Sequence, residues 1–269
     1  MMLQSSRVSL QAVLEAANAE ISGGNAREIG QSLLGVVGVL ADNLGLRKAL
    51  ADSSEPAEKK QGLLQAVFGA QIFEAALRIA SVAVSQRWAR TQDFVTSLEV
   101  AGVTAIAAAA QEVGQLGQVE EELFRFARLL ESDHELARAL DSDAGADAKR
   151  ALVADLLAGR AEPDTVTLVD HAAVHPRGLR VAIALDHFSD ILAARQQRSV
   201  AEVTVAAPLS QQQTERLAAA LAKNYGRELV LNVQVDPEVI GGVRVQVGDE
   251  VMNSTIADRL AEVQRKLAS

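Results

Sequence analysis

The sequence has no cysteine and contains only five prolines, one tryptophan and one tyrosine among 269 residues. Without cysteine the chain has no disulfide, no thiol nucleophile and no cysteine-bound zinc, which fits a reducing compartment. Aromatic residues make up 3% of the chain and hydrophobic residues 49%, with alanine a large share of the latter. We therefore expect cores of close-packed helices with small side chains rather than aromatic clusters.

Excess positive charge and long apolar runs are also missing. The chain carries 26 basic against 35 acidic residues, a net charge of -9, which disfavours binding to nucleic acid or to anionic lipid. Uncharged stretches such as residues 100–111 are short, well below the roughly 20 apolar residues that a membrane-spanning helix needs. The N-terminal residues also lack the pattern of a signal peptide. We therefore expect contact with a membrane only through a partner.

The hydrophobic period changes near residue 199. Before it, apolar residues recur three and four apart, which predicts helices. After it, the segments SVAEVTVAAP, ELVLNVQV and VRVQV alternate as strands do, with a helical segment at residues 209–225 between the first two. Ser254 is placed to cap a closing helix that ends at Leu267. The pattern predicts a mainly α fold that ends in a small α+β domain of order β-α-β-β-α.

The helical part is internally repeated at a shift of 90 residues. The landmarks that share this shift are Leu46 and Leu136, Lys59 and Lys149, Gly69 and Gly159, Val84 and Val174, and Arg87 and Arg177. Similar helices rich in alanine and leucine also match by chance, but charged residues and glycines moving together favour duplication. We predict two similar six-helix bundles, an extra bundle over residues 1–99 and a second over 100–198, followed by the α+β domain over 199–269.

Three polar groups are candidates for a catalytic or metal site. His171 and His175 stand four apart on a helix, as two metal ligands would, but further ligands are missing and Pro176 ends the helix, so we interpret them as ordinary helix and cap residues. Asp186, His187 and Ser189 are too close in sequence to converge as a triad. The acidic run at residues 120–122 is interpreted as a solvated helix start stabilised by the helix dipole.

The Gly241-Gly242 pair suggests either a phosphate loop or a bend in the backbone. A dinucleotide loop leads from a strand into a helix, whereas this pair is followed by the strand-like residues 243–247, and no Gly-Lys-Ser or Gly-Lys-Thr ending is present. Glycines before a strand permit a positive φ or a bulge. We therefore interpret them as a backbone device.

The C-terminal residues resemble a known signature, that of the delta subunit of F-type ATP synthase, which corresponds to the mitochondrial oligomycin-sensitivity-conferring protein. The signature residues are Asp236, Pro237, Ile240, Gly241, Gly242, Gly248, Asp249, Ser254 and Leu260. The similarity extends upstream through residues 200–210, 147–157 and 105–130. Residues 100–269 thus cover an ordinary delta subunit. The chain departs from the family at Met252-Asn253, in the turn expected before Ser254 where Asp-Gly is common, and in its first 99 residues.

The resemblance implies a non-catalytic stator subunit without cofactor or metal, on the cytoplasmic face of a bacterial cell membrane as part of the complex. Its helical domain would hold the N-terminal helix of an alpha subunit of the catalytic head, with beta as a further contact. The C-terminal domain would grip the C-terminal end of the b subunit. Some long relatives are fused to a b-like membrane helix; this sequence lacks one, so we expect separate b chains.

The groove for the partner helix is predicted on the apolar faces of residues 103–110 and 166–174. Its candidate walls are Val103, Ile106, Val166, Val169 and Val174. The alternative function is a free-standing helical adaptor that binds peptides through the duplicated bundle, although the C-terminal signature has no role there. An enzyme is disfavoured because the sequence offers no nucleophile-base pair, metal set or phosphate loop.

Overall fold

The computed structural model describes residues 3–198, 200–225, 229–236, 242–247 and 250–255. It divides into two compact units, Met1–Ala193 and Ala194–Ser269. The helices are α1 (Gln4–Ile21), α2 (Ala26–Asp42), α3 (Leu44–Ala51), α4 (Ala57–Phe68), α5 (Glu74–Ser85), α6 (Thr91–Glu112), α7 (Leu116–Ser132), α8 (His134–Asp141), α9 (Ala146–Leu157), α10 (Pro163–Val174), α11 (Val181–Arg198) and α12 (Gln211–Tyr225). The chain is mainly helical with a small sheet towards its C-terminus, as the sequence predicts.

The first unit contains two hydrophobic cores that meet at α6. The first core lies among α1 to α6 and takes Phe94 and Leu98 from α6. The second lies among α6 to α11 and takes Val103 and Ile106 from α6, together with Leu34 from α2. Because α6 faces apolar neighbours on both sides, its alanine-rich sequence permits close packing all round.

Helix α6 is also long and apolar enough to be a candidate membrane span, but 83% of the apolar window is buried inside the unit. The consecutive helices α2 and α3 pass the same test only as a pair, and they meet at a bend of 112°. Core helices commonly combine such length and hydropathy, and the burial of α6 identifies it as one.

The helix bounds repeat along the first unit. Helix α2 starts and ends 90 residues before α7 (26 to 116 and 42 to 132), and α3 stands in the same relation to α8 (44 to 134 and 51 to 141). For α4 with α9 and α5 with α10 the shift is 89 (57 to 146 and 74 to 163), and α6 begins 90 before α11. The two series are α1 to α6 and α6 to α11, so the predicted boundary at residue 99 falls inside α6.

Buried lysines occupy matching positions on α4 and α9. The local shift of 89 pairs Lys60 with Lys149, both nearly inaccessible, and not Lys59 with Lys149 as the sequence predicts. Lys149 Nζ donates to the carbonyl of Ala173, 3.1 Å away. Burial lowers the pKa of Lys60, with a smaller opposing effect from Asp52.

The second unit contains a four-stranded sheet of order β2-β1-β3-β4. Its strands are β1 (Val200–Val205), β2 (Val230–Val235), β3 (Gly242–Val247) and β4 (Glu250–Thr255). β1 and β2 are parallel and joined through α12, while β3 is antiparallel to both β1 and β4. Alternate residues Ala201, Val203 and Val205 point into a core shared with Leu221 of α12, which explains the two-residue period of the sequence.

The end of the chain differs from the prediction. Ser254, expected to cap a helix, lies in β4 opposite Val243, and Met252-Asn253, expected in a turn, pair with Val245 and Arg244 in the same hairpin. Backbone pairing with β3 therefore places these residues in a strand, although their side chains alone favour a turn and a helix cap. Residues 256–269, which include most of the predicted closing helix, lie outside the described part of the chain.

Candidate functional site

Three of the five predicted groove walls lie together in the second core, where they pack against other residues of the chain. Val103, Ile106 and Val169 are completely buried in the second core, while Val166 and Val174 are partly buried. Leu34 of α2 belongs to the same core. The faces of α6 and α10 therefore form a seam that is already covered, and α2 lies on it.

Glycines bring α2 and α6 close together. A Cβ at Gly30 would stand 2.7 Å from Ile106 Cδ1 and 2.9 Å from the carbonyl oxygen of Gly102. A Cβ at Gly102 would stand 3.3 Å from Leu33 Cβ. A Cβ atom at 2.7 or 2.9 Å from these atoms would clash with them. Because both residues are glycines, the backbones of α2 and α6 can approach closely.

Two contacts join α2 to α10, one near each end of α10. Arg27 Nε and Nη2 donate to Asp164 Oδ1 and Oδ2 at 2.8 and 2.9 Å, and only 2% of the Asp164 side chain is exposed. The hydrogen bonds from Arg27 to Asp164, and then the opposite charge, raise the pKa of Arg27. At the other end, a Cβ on Gly38 would stand 2.6 Å from His175 Nε2. Helix α2 therefore lies alongside α10 from the first turn of α10 to its C-cap, His175.

A buried ionic cluster joins α6 to the segment after α10. Arg177 donates from Nη2 to Glu99 Oε2, from Nε to Glu99 Oε1 at 3.1 Å, and from Nη1 to Thr96 Oγ1 at 3.1 Å. His171 Nε2 lies 3.2 Å from Glu99 Oε1. The Glu99 carboxylate thus satisfies two buried donor side chains, as a buried charge requires. Arg177 has a φ of 49°, a left-handed conformation that the ion pair holds in place.

The paired histidines have structural positions. His175 is the C-cap of α10 and donates its backbone N–H to the carbonyl of His171, which agrees with their interpretation as helix and cap residues. Burial, and then the nearby His171, lowers the pKa of His175. The two rings are 5.5 Å apart. Within the described ranges no group of three His, Asp or Glu side chains is placed to hold a metal.

The two remaining polar groups are the segment 186–189 and the acidic run at residues 120–122, and the structure treats their interpretations differently. Ser189 Oγ is buried without a hydrogen-bond partner, so it forms no relay with Asp186 and His187. The interpretation of the acidic run as a solvated helix start is wrong for Glu122, because α7 begins at Leu116 and Glu122 accepts hydrogen bonds from the Glu162 N–H (2.9 Å) and Thr165 Oγ1 (2.5 Å).

Glu122 therefore stabilises the first turn of α10. Burial raises its pKa, but these hydrogen bonds and one from Gln118 outweigh burial and leave the pKa below its usual value. No local pattern in the sequence indicates this contact, because Glu122 and Thr165 are far apart along the chain.

The signature residues lie only partly in the described chain. Asp236 follows β2 and donates its backbone N–H to the Val205 carbonyl at 2.9 Å. Gly242 opens β3, so a strand and not a helix begins at the second glycine, while the interpretation of the pair as a backbone device stays a prediction. Ser254 lies in β4. Pro237, Ile240, Gly241, Gly248, Asp249 and Leu260 lie outside the described residues.

Comparison with known proteins gives consistent matches along the chain. A family model described as ATP synthase delta (OSCP) subunit matches residues 103–267. A protein of Streptomyces coelicolor named ATP synthase subunit delta is 44% identical over 246 residues, covering 91% of this chain and 90% of that protein. Proteins of the same name from Thermobifida fusca and Nocardia farcinica are 39% and 40% identical and cover 98% and 99% of this chain, and 98% and 100% of their own lengths.

The segment before residue 103 is thus shared with these relatives, although the family match begins only there. A solved chain from a Toxoplasma gondii mitochondrial ATP synthase hexamer is 21% identical and covers 62% of this chain and 95% of its own, with a TM-score of 0.34. That score is too low to compare the helix arrangements.

Proposed function

The chain belongs to the ATP synthase delta (OSCP) subunit family, and from this membership we propose that it is a non-catalytic stator subunit of the peripheral stalk. In this role it links the catalytic head to the b stalk of the membrane sector and resists the torque of the rotor. The observation that carries the proposal is the full-length similarity to proteins named ATP synthase subunit delta. It would lie on the cytoplasmic face of the cell membrane, held there by the complex.

The partners we propose are the alpha subunits of the head, with beta as a further contact, and the C-terminal end of b. We assign the head to the helical unit and b to the sheet-containing unit, as the family resemblance implies. Helix-in-groove contacts suit such a role, since several hundred Å² of apolar surface at roughly 25 cal/mol per Å² gives strong binding after the ordering costs are subtracted.

Residues 1–99 are, in this proposal, an extra copy of the helical bundle, residues 100–198 the bundle of an ordinary delta subunit, and residues 199–269 its α+β domain. The shifts of 89 and 90 between helix bounds support the duplication, as does a family match that begins at residue 103. Helix α6 would then be the last helix of one copy and the first of the next.

Mechanical rigidity is the physical requirement of a stator, and three contacts within the helical unit support the proposal. The glycine contacts of α2 with α6 and the ion pair of Arg27 with Asp164 tie the two series of helices together. The buried pair of Glu99 with Arg177 adds a second tie. A load applied to one end of this unit would be carried by packed helices rather than by a flexible linker.

The test is isothermal titration of the full chain against the isolated catalytic head of its own ATP synthase. We expect saturation at one copy per head, and loss of the heat signal with a head whose alpha subunits lack their N-terminal segments. The variant Glu55→Gln, which removes an exposed ion pair with Lys59, serves as a matched control and should bind as the unmodified chain does. No binding by a folded sample would refute the stator proposal and favour the helical adaptor.

A further inference from the structure

Helices α2 and α7 are equivalent in the internal repeat, but their matching faces have different surroundings. The shift of 90 pairs Gly30, Leu34 and Gly38 of α2 with Glu120, Phe124 and Arg128 of α7. On α7 most of this face is in solvent, with Glu120 half-buried: Phe124 is 46% exposed and the Arg128 guanidinium lies over its ring, 5.0 Å from the centroid. On α2 the same face is covered, with Leu34 only 4% exposed.

The difference lies in what α2 touches. Gly30 and Gly38 meet Ile106 of α6 and His175 at the end of α10, and Arg27 pairs with the buried Asp164 at the start of α10. Glu120 and Arg128 carry side chains where α2 has glycines, so α7 could not approach another helix in the same way. The face of α2 is thus fitted by shape and by charge to the α6–α10 seam, which is the helix-binding surface that the sequence predicts.

We propose that the α6–α10 seam is a helix-docking surface whose permanent occupant is α2 of the same chain, so that a helix of another subunit binds this protein elsewhere. The second clause rests on the proposed function, because it concerns binding to the head. The first clause concerns the free protein and stands without it.

The first experiment measures amide hydrogen exchange in the free, full-length protein. Gly38→Arg gives α2 the residue found at the matching position of α7, and we expect exchange of the α10 amides to become at least tenfold faster. Gly35→Arg is the control on the same helix, because no atom lies within 4 Å of a Cβ at Gly35, and it should leave α10 unchanged. Equal exchange in α10 for both variants and the unmodified chain would overturn the docking of α2.

The second experiment fixes α2 in place before binding. Because the chain has no cysteine, Arg27→Cys with Asp164→Cys supplies one pair of thiols, which a short bis-maleimide bridges. The bridged protein should bind the catalytic head within twofold of the unbridged double variant, and each single variant treated with the reagent controls for modification alone. Binding lost on bridging but present in the unbridged protein would show that an outside helix displaces α2, which overturns the proposal.

Failure of the proposed function gives a different pattern. In that case the unmodified, unbridged and bridged proteins all fail to bind the head. The exchange experiment then decides the place of α2 by itself, through the contrast between Gly38→Arg and Gly35→Arg.

Discussion

Removing the charge of Glu99 should destabilise the helical unit strongly. Glu99→Gln keeps the shape of the side chain but leaves Arg177, whose side chain is 6% exposed, as a buried cation without its carboxylate. Breaking a buried ion pair from one side costs about 3 to 5 kcal/mol. For a unit the size of Met1–Ala193, each kcal/mol lowers Tm by about 2 to 4 °C. We therefore expect Tm to fall by about 10 °C in a calorimetric scan at neutral pH.

Two further variants make this result interpretable. Glu55→Gln removes an exposed ion pair with Lys59 and should change the free energy of unfolding by less than about 1 kcal/mol. Adding Arg177→Met to Glu99→Gln removes the buried cation as well, and should recover part of the lost Tm because an apolar replacement leaves no unpaired charge. A Tm for Glu99→Gln within about 3 °C of the unmodified chain would refute the reasoning, since it would mean that water or another group replaces the carboxylate.

Three other predictions concern single contacts. Gly30→Ala should cost about 1 to 3 kcal/mol in urea unfolding through overpacking, whereas Gly35→Ala, with open space at its Cβ, should stabilise by about 0.5 to 1 kcal/mol; equal effects would contradict the close approach. Burial and His171 lower the pKa of His175 below 6.5, so the native state prefers the neutral ring, and its contribution to stability should be complete above pH 6.5 and decline as the pH falls below that value. Urea unfolding between pH 5 and 8 measures this decline, which should be smaller in His175→Gln; an unchanged profile would exclude His175 as its source. Ser189→Ala removes a buried hydroxyl without a partner and should raise stability by up to about 1 kcal/mol, so a loss of Tm would reveal a hydrogen bond to Ser189.

The sequence was most informative where structure follows from neighbouring residues. The change of hydrophobic period correctly separated the helices, the last of which before the sheet ends at Arg198, from the strands that begin at Val200. That signal is local, because side-chain alternation along one strand is enough to reveal it. The prediction for Ser254 was wrong for the opposite reason. A serine before an amphipathic segment favours a helix N-cap, and only pairing with β3, which the sequence does not display, places Ser254 in a strand.

The seam depended on contacts that no local pattern predicts. Arg27 and Asp164 are separated by most of the helical unit and look like ordinary surface residues in the sequence, yet Asp164 is buried. Val103, Ile106 and Val169, three of the predicted groove walls, are buried in the second core, and the sequence alone could not say whether such apolar faces pack inside the chain or against a partner. Gly30 and Gly38 are the residues that let α2 lie on the seam. Their importance becomes visible only when α2 is compared with α7, which has Glu120 and Arg128 at the matching positions.

Residues 1–99, proposed as an extra copy, cannot be separated from the rest of the helical unit, because α6 contributes to both cores. Phe94 and Leu98 at its start belong to the first core, and Val103 and Ile106 further along belong to the second. A cut at residue 99 would divide one helix, expose apolar side chains on both fragments and remove Glu99 from its ion pair. The two series of helices therefore depend on each other for their cores. In the proposed duplication, a copy joined through a shared helix would stiffen the unit, whereas a copy joined by a loop would only lengthen it.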